Sequence, residues 1–239
     1  MRNYKLILIL AAFLLVGGTA DAQGKKKIRI CYRNANHLVE KIEANPNAET
    51  LYLFRNGLDS LPEEIGQLKH LKKLVVSSNN LKYIPPVIGE LTELEEISFK
   101  NNDIGALPPE IGQLKNLKRL ELDHNRLETL PDELCELKNL EYLSLTHNAL
   151  HHLPSDIGDL ESLEFFYIGT NLLQELPVGI AQLTNLIELN VANSGGLLVI
   201  PDLRNCQSLE RLYIDSTTLF DVSFNPRVIS RLEIYMVGR

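Results

Sequence analysis

Two histidines that stand 23 residues apart, His124 and His147, are the side chains of this chain with the most versatile chemistry. Asp123 precedes the first of them, and two imidazoles with a carboxylate can hold a metal ion. Ser144 adds a hydroxyl, which completes the composition of a hydrolytic triad. Neither chemistry is favoured, because nothing in the sequence marks a deep pocket, an oxyanion hole or a nucleophile elbow. We therefore predict no metal, no cofactor and no catalytic residue.

Aromatic side chains with the same spacing indicate a different function. Tyr142 and Phe165 are also 23 residues apart, and Tyr167 follows two positions later. Residues two apart on a strand share one face, so this spacing predicts that the three rings lie together. Exposed aromatic residues beside a few polar groups are typical of protein-binding hot spots. The sequence therefore predicts a partner-binding patch, whose members are Tyr142, Phe165, Tyr167, Glu121, Asp123, His124 and His147.

The spacing of 23 residues comes from a unit that recurs along most of the chain. Its clearest copy runs from Leu117 to Asn139 and reads LKRLELDHNRLETLPDELCELKN. A fixed period of about 20 to 30 residues is the signature of a solenoid, in which each unit packs only on its neighbours. The eight units start, without drift in phase, at Ala48, Leu71, Leu94, Leu117, Leu140, Leu163, Leu186 and Leu209.

Each unit is predicted to form a short strand, a turn and a tight outer segment. Its fourth and sixth positions are apolar and flanked by polar residues, which predicts a strand with one buried face. Positions three, five, seven and eight then point to solvent on the inner face. A proline at the fifteenth position, followed by apolar residues three apart, predicts a 3₁₀ turn rather than a long helix. Four units then carry a glycine that we expect to relax the chain before it re-enters the core. These glycines are Gly66, Gly89, Gly112 and Gly158.

The ninth position is asparagine in six successive units. An amide side chain has enough donors and acceptors to satisfy backbone groups where the chain leaves the strand. Stacked copies therefore predict a ladder of hydrogen bonds that runs through the coil. The column consists of Asn56, Asn79, Asn102, Asn125, Asn148 and Asn171.

The consensus LxxLxLxxNxLxxLPxxIGxLxx resembles the leucine-rich repeat in its 23-residue form. It is similar to the repeats of Ras-binding scaffold proteins, plant disease-resistance receptors and bacterial surface or secreted proteins, from Ala48 to about Ser230. The resemblance implies an α/β fold: a right-handed leucine-rich-repeat solenoid with a curved parallel sheet on its concave face and short 3₁₀ or irregular segments on its convex face. It also implies a non-catalytic module that binds a protein or peptide on the concave face.

The first 22 residues have the pattern of a signal peptide. Two basic residues precede an apolar run from Leu6 to Val16, and Ala20-Asp21-Ala22 supplies a small-x-small cleavage site. The run is too short for a comfortable membrane span. Lys25 to Lys27 and Arg29 stand directly downstream and oppose translocation, so an uncleaved anchor is the alternative. We expect export to the cell surface, the periplasm or the medium, with no membrane insertion once the leader is cleaved.

Caps are expected at both ends of the coil. Before the repeats, an amphipathic stretch predicts a covering helix that begins at Asn36 and ends near Glu43 or Ala44. Unit seven has Ser194 and unit eight has Thr217 in the asparagine column, as is typical of terminal repeats. The predicted regions are a signal peptide (1–22), a helical cap (23–47), eight repeats (48–231) and a C-terminal edge strand (232–239).

The chain of 239 residues carries a formal charge of −7. Net acidity argues against nucleic-acid binding, which needs a basic stripe. Three cysteines do not make a disulfide framework, so Cys31, Cys135 and Cys206 are expected to be unpaired thiols. We expect a monomer with a protein or peptide ligand. The alternative is a surface protein that binds glycan or matrix, since aromatic rings also stack on sugars.

Overall fold

The computed structural model describes residues 27–31, 37–196, 198–222 and 224–238. The predicted signal peptide and the predicted helix start at Asn36 lie outside these residues. One α-helix, α1, is described and runs over Leu38–Glu43. The strands are β1 (Lys27–Cys31), β2 (Thr50–Phe54), β3 (Lys73–Val75), β4 (Glu96–Ser98), β5 (Arg119–Glu121), β6 (Tyr142–Ser144), β7 (Phe165–Tyr167), β8 (Glu188–Asn190), β9 (Val199–Ile200), β10 (Arg211–Ile214), β11 (Leu219–Phe220) and β12 (Glu233–Met236).

Ten of these strands form a single parallel sheet in the order β1-β2-β3-β4-β5-β6-β7-β8-β10-β12. The order follows the chain because each repeat makes one strand and then returns to start the next strand beside it. From β2 to β10 the register pairs each residue with the residue 23 positions later, as Glu96 with Arg119 and Arg119 with Tyr142. One column of the repeat therefore becomes one row of side chains across the sheet. The α/β solenoid expected from the sequence is confirmed.

The apolar columns form one continuous core. The fourth and sixth positions are buried throughout the coil, and both Leu120 and Leu122 are fully inaccessible to solvent. The strands of the middle units are only three residues long, so β5 ends at Glu121, directly before the sixth position. The chain therefore leaves the sheet earlier than the alternation of apolar residues suggests, while Leu122 still packs in the core.

A 3₁₀ helix follows the column proline in six units, as the sequence predicts. The proline itself is extended, with φ −71° and ψ 146° at Pro131, and the helix begins at the next residue. The pyrrolidine ring restricts φ to values compatible with both the extended chain and the first helical turn. The 3₁₀ helices are Glu63–Gln67, Pro86–Glu90, Pro109–Gln113, Asp132–Glu136, Ser155–Asp159, Val178–Gln182 and Pro226–Val228.

The outer-segment glycines permit close packing between coils, rather than the relaxation of the chain that we expected. A Cβ atom at Gly158 would stand 2.1 Å from the carbonyl oxygen of Gly179 in the next coil. A Cβ atom at Gly112 would stand 2.5 Å from the carbonyl oxygen of Glu133. No side chain larger than hydrogen fits between backbones at this separation, so the requirement comes from the neighbouring coil.

The N-terminal cap consists of a strand as well as a helix. Leu38 and Ile42 of α1 are buried and join the core of the coil. Strand β1 pairs in parallel with β2 over its whole length, from Lys27 opposite Thr50 onward. The sequence predicts only the helix, because the basic residues of β1 resemble the flank of a leader more than they resemble a strand.

The C-terminal end replaces the asparagine column with other polar groups. The Ser194 hydroxyl donates to the carbonyl oxygens of Val191, at 2.6 Å, and Ile168, at 3.4 Å. Those residues lie 3 and 26 positions earlier, the same offsets at which the column asparagines bond. In the last unit Asp215 is buried and accepts the backbone N–H groups of Asn193 and Thr217. Strand β12 then pairs in parallel with β10, and β9 pairs with β11 in a separate two-stranded sheet.

Two cysteines are buried free thiols, Cys135 and Cys206. Burial raises the pKa of each to about 12, and nearby aspartates add to the effect at Cys135. Both are therefore protonated and poorly nucleophilic. The Cys31 side chain lies outside the described part of the structure. Within the described residues, no helix has the length and apolar character needed to cross a bilayer.

Replacement of Gly158 by alanine should lower the free energy of unfolding by about 1–3 kcal/mol, because the added methyl group overlaps the Gly179 carbonyl oxygen. Urea denaturation followed by circular dichroism measures this. Gly105→Ala is the matched control, since a Cβ atom there meets nothing within 4 Å. We expect it to change stability by less than about 0.5 kcal/mol. Equal losses in the two variants would contradict the close-packing role of Gly158.

Candidate binding surface

Tyr142, Phe165 and Tyr167 lie together on the inner face of β6 and β7. The register pairs Tyr142 with Phe165 and Ser144 with Tyr167. The centroid of the Tyr142 ring is 6.2 Å from that of Phe165 and 5.3 Å from that of Tyr167, and the rings are tilted by 36° and 44°. All three are partly exposed, because strand alternation turns the third and fifth positions away from the core. We call these three residues the aromatic cluster.

A guanidinium group lies against the aromatic cluster. Cζ of Arg119 is 3.5 Å from the centroid of the Tyr142 ring, a cation–π contact. Nη2 of Arg119 also forms an ion pair with Oε1 of Glu121, at 2.6 Å. Only 14% of the Glu121 side chain is exposed. Glu121, which we predicted as a contact residue, therefore orients Arg119 and presents little of its own surface.

Lys100 links the carboxylates of Glu121 and Asp123. Its Nζ is 3.0 Å from Oε1 of Glu121 and 3.3 Å from Oδ2 of Asp123. Burial by itself would raise the pKa of Glu121, but hydrogen bonds from Lys100 and Arg119 outweigh it and hold this pKa below its usual value. Glu121 is therefore ionised at neutral pH and holds two cations in place.

Asp123 lies beneath the surface rather than on it. The residue is 9% exposed, and its carboxylate accepts a hydrogen bond from the Ser144 hydroxyl in addition to the contact with Lys100. Alternation predicts solvent-facing side chains at both positions, but Ser144 is only 3% exposed. No side-chain hydrogen bond or ion pair joins either residue to a histidine within the described part of the chain, so the triad composition noted in the sequence does not become a triad geometry.

His124 and His147 project from turns, not from strands as the repeat pattern suggests. Both residues have left-handed backbones, with φ 55° and φ 59°. Their rings are exposed and stack with centroids 4.3 Å apart and planes 12° apart. Among the described residues, no group of three or more histidine, cysteine, aspartate or glutamate side chains is arranged to hold a metal ion. The pair adds a flat polar surface at the strand-exit side of the aromatic cluster.

The ordered row of side chains continues past the aromatic cluster toward the C-terminal end. Burial and a hydrogen bond to Glu188 raise the pKa of Tyr167 well above its usual value. Glu188 in turn pairs with Nε of Arg211. Beyond them the rings of Tyr213 and Tyr235 stack, with centroids 4.9 Å apart. Tyr235 lies after the last full repeat, so the period does not reveal this pair.

A groove of about 280 Å³ opens beside the aromatic cluster, where the strands begin. The second position of the repeat contributes half of its lining, although that column was not among the predicted inner-face positions. The sequence does contain a signal that this column is accessible to solvent, because its residue is charged in every unit except the seventh. The lining residues are Glu95, Glu96, Lys118, Arg119, Glu141, Tyr142, Glu164 and Phe165.

Sequence models of two repeat families match this chain. The model described as "Leucine rich repeat" matches residues 92–150, and the one described as "Leucine-rich repeat region" matches residues 132–232. Together with the coil described above, they decide the family. The chain is a leucine-rich-repeat protein. Comparison with the curated proteins gave no match.

Solved structures that resemble this leucine-rich-repeat protein come from bacteria and plants. A leucine-rich-repeat protein of Leptospira interrogans is 25% identical, with a TM-score of 0.56 over 89% of this chain and 78% of its own. An internalin of Listeria monocytogenes is 17% identical, with a TM-score of 0.59 over 80% of this chain and 62% of its own. The ectodomain of the receptor kinase GASSHO1/SCHENGEN3 from Arabidopsis thaliana, solved in complex with CASPARIAN STRIP INTEGRITY FACTOR 2, is 24% identical, with a TM-score of 0.61 over 89% of this chain and 32% of its own.

Replacement of Glu121 by glutamine tests the charge network through its pH dependence. Because the folded-state pKa of Glu121 is lowered, its contribution to stability is present above its usual pKa of about 4.3 and is lost as pH falls through the folded-state value. Urea denaturation should therefore show the variant less stable than the wild type at neutral pH, with the difference shrinking as the pH falls below the usual glutamate range. Glu128→Gln removes the same charge from an exposed side chain and should differ little over the same pH range. A pH-independent loss for Glu121→Gln would refute the ionic contribution.

Proposed function

We propose that this leucine-rich-repeat protein is an exported, non-catalytic recognition module that binds a protein or peptide on the inner face of its sheet. The aromatic cluster would form the centre of the contact, with the groove on one side and the stacked histidines on the other. The observation that carries the proposal is that large aromatic rings are held partly exposed, in fixed orientations, by charged neighbours. Aromatic and arginine side chains in such settings dominate the energy of protein interfaces.

The size of the inner face supports this proposal. Ten strands have nine spacings of about 4.8 Å, which give an arc of about 43 Å. A strip of that length and a few residues wide is comparable with the area of about 800 Å² that each partner buries in a standard protein interface. The aromatic cluster is also held rigidly, because its three residues belong to paired strands, so little conformational entropy is lost on binding.

The structural relatives support a protein or peptide ligand. The plant ectodomain was solved in complex with CASPARIAN STRIP INTEGRITY FACTOR 2, and leucine-rich repeats are found in internalins as well as in receptor ectodomains. These likenesses concern the fold. The identity of the ligand depends on the side chains of the aromatic cluster and its surroundings rather than on the fold.

A triple variant, Tyr142→Ala with Phe165→Ala and Tyr167→Ala, tests the site. Affinity capture of extracellular and envelope proteins with the purified chain, followed by mass spectrometry, should yield a partner that the triple variant loses. The stacked pair Tyr213 and Tyr235 gives the control, because Tyr213→Ala with Tyr235→Ala removes two rings from the same face, away from the cluster. Circular dichroism establishes that each variant is folded.

A partner that binds the triple variant as well as the wild type would contradict a site at the aromatic cluster. A partner released from the wild type by competing sugars would instead favour the alternative of a surface protein that binds glycan or matrix. Protein recognition predicts that sugars leave the capture unchanged.

Export is the second part of the proposal, and it concerns the leader outside the described residues. The charge and hydropathy pattern of residues 1–22 supports a cleaved signal peptide, and two of the structural relatives are an internalin and a receptor ectodomain. Intact mass spectrometry of the protein recovered from its native cells should give a chain that begins at Gln23. A membrane-bound chain that retains Met1 would instead establish the uncleaved anchor.

A further inference from the structure

We propose that the groove beside the aromatic cluster receives an arginine side chain of the partner. This inference rests on the proposed function, since it assigns a chemistry to one part of the same binding surface. It starts from the charges that line the groove, which are four carboxylates and two cations.

The cations of the groove are already paired, whereas two of its carboxylates are not. Nζ of Lys118 is 3.1 Å from Oε2 of Glu95, and Arg119 pairs with Glu121 outside the groove. Glu96 pairs with a lysine of the preceding strand. The side chains of Glu141 and Glu164 form no hydrogen bond or ion pair within the described residues. Lys118 lies within Coulombic range of Glu141, but the carboxylates of the groove outnumber its cations. The groove therefore presents net negative charge, which favours a cationic ligand group.

The backbones of these two residues are adjacent, which allows one ligand group to reach both carboxylates. The backbone amides of Glu164 and Phe165 both donate to the carbonyl oxygen of Glu141, at 2.9 Å and 3.0 Å. Glu141 and Glu164 are therefore side by side on adjacent coils, about 4.8 Å apart along the sheet. A guanidinium group has five N–H donors in a flat fork and can bond to both carboxylates at once. An ammonium group has only three donors and no plane.

The aromatic rings favour a flat cation in the same place. Tyr142 already carries the guanidinium of Arg119 at 3.5 Å from its ring centroid, which shows that this surface accommodates stacked arginine. Phe165 is partly exposed beside Glu164, and no cation of the described residues lies over its ring. An incoming arginine can therefore stack on Phe165 while it bonds to Glu141 and Glu164, and the net charge of −7 favours approach of a basic segment.

Isothermal titration calorimetry with synthetic peptides tests this inference directly. The probe is an acetylated and amidated peptide of alternating glycine and arginine, with matched peptides in which citrulline or lysine replaces arginine. Citrulline keeps the shape of arginine and removes its charge. We expect the arginine peptide to bind the wild type, the lysine peptide to bind more weakly, and the citrulline peptide to bind at least about tenfold more weakly. Binding should also weaken as the salt concentration rises.

The variant that decides the site is Glu141→Gln with Glu164→Gln, which should weaken binding of the arginine peptide at least about tenfold. The matched control is Glu49→Gln with Glu210→Gln. It removes two carboxylates from the same column of the repeat in distant units and should bind the peptide as the wild type does. The inference is overturned if the wild type does not bind the arginine peptide, if citrulline or lysine binds equally well, or if both double variants weaken binding alike.

The outcome is separable from that of the proposed function. A natural partner that is lost by the aromatic triple variant but kept by Glu141→Gln with Glu164→Gln would leave the binding surface intact and overturn only the assignment of arginine. A partner kept by the triple variant would contradict the proposed function alone. The peptide titration measures binding in the groove without any natural partner.

Discussion

The hydrogen bonds of the asparagine column hold successive coils at a constant spacing, and every contact on the inner face depends on that spacing. Nδ2 of Asn125 donates to the carbonyl oxygens of Leu122, at 2.9 Å, and Phe99, at 3.0 Å, and Oδ1 accepts from the backbone N–H of Ile104 at 3.1 Å. The side chain thus bonds to its own coil and to the preceding coil. Because Asn125 is buried, removing it would leave these backbone groups without water to replace the amide.

The residue before each column asparagine adopts a left-handed backbone, which is uncommon outside glycine. The six such residues have φ between 54° and 59°, and they include His124 and His147; Asn193, which precedes Ser194, has φ 60°. A left-handed residue costs about 1–2 kcal/mol, but it turns two successive amides toward the next coil. The amide of His124 donates to the carbonyl oxygen of Thr146 at 2.9 Å, and that of Asn125 donates to His147 at 3.2 Å. The same turn swings the histidine rings outward, which brings them into a stack.

A constant spacing also preorganises the binding surface, because partners from different repeats meet without any loop having to move. Lys100, Glu121, Arg119 and Tyr142 form a continuous series of ion pairs and a cation–π contact across three successive coils. Ordering these long side chains in the free protein lowers the entropy that binding would otherwise cost. The charged side chains near Tyr142 are paired with one another in this series, whereas the carboxylates of Glu141 and Glu164, beside Phe165, remain available to a ligand.

The sequence by itself determined the coil, the parallel sheet and the nearness of the three aromatic rings, because a 23-residue period converts spacing along the chain directly into neighbours across the sheet. It could not determine how deeply each polar side chain of the inner face is buried. Asp123 and His124 are adjacent inner-face residues by period, yet one is buried beneath Ser144 and Lys100 and the other is turned out by its backbone. Burial of a polar side chain depends on the sizes and charges of neighbours from other coils, and these act together only after the chain has folded.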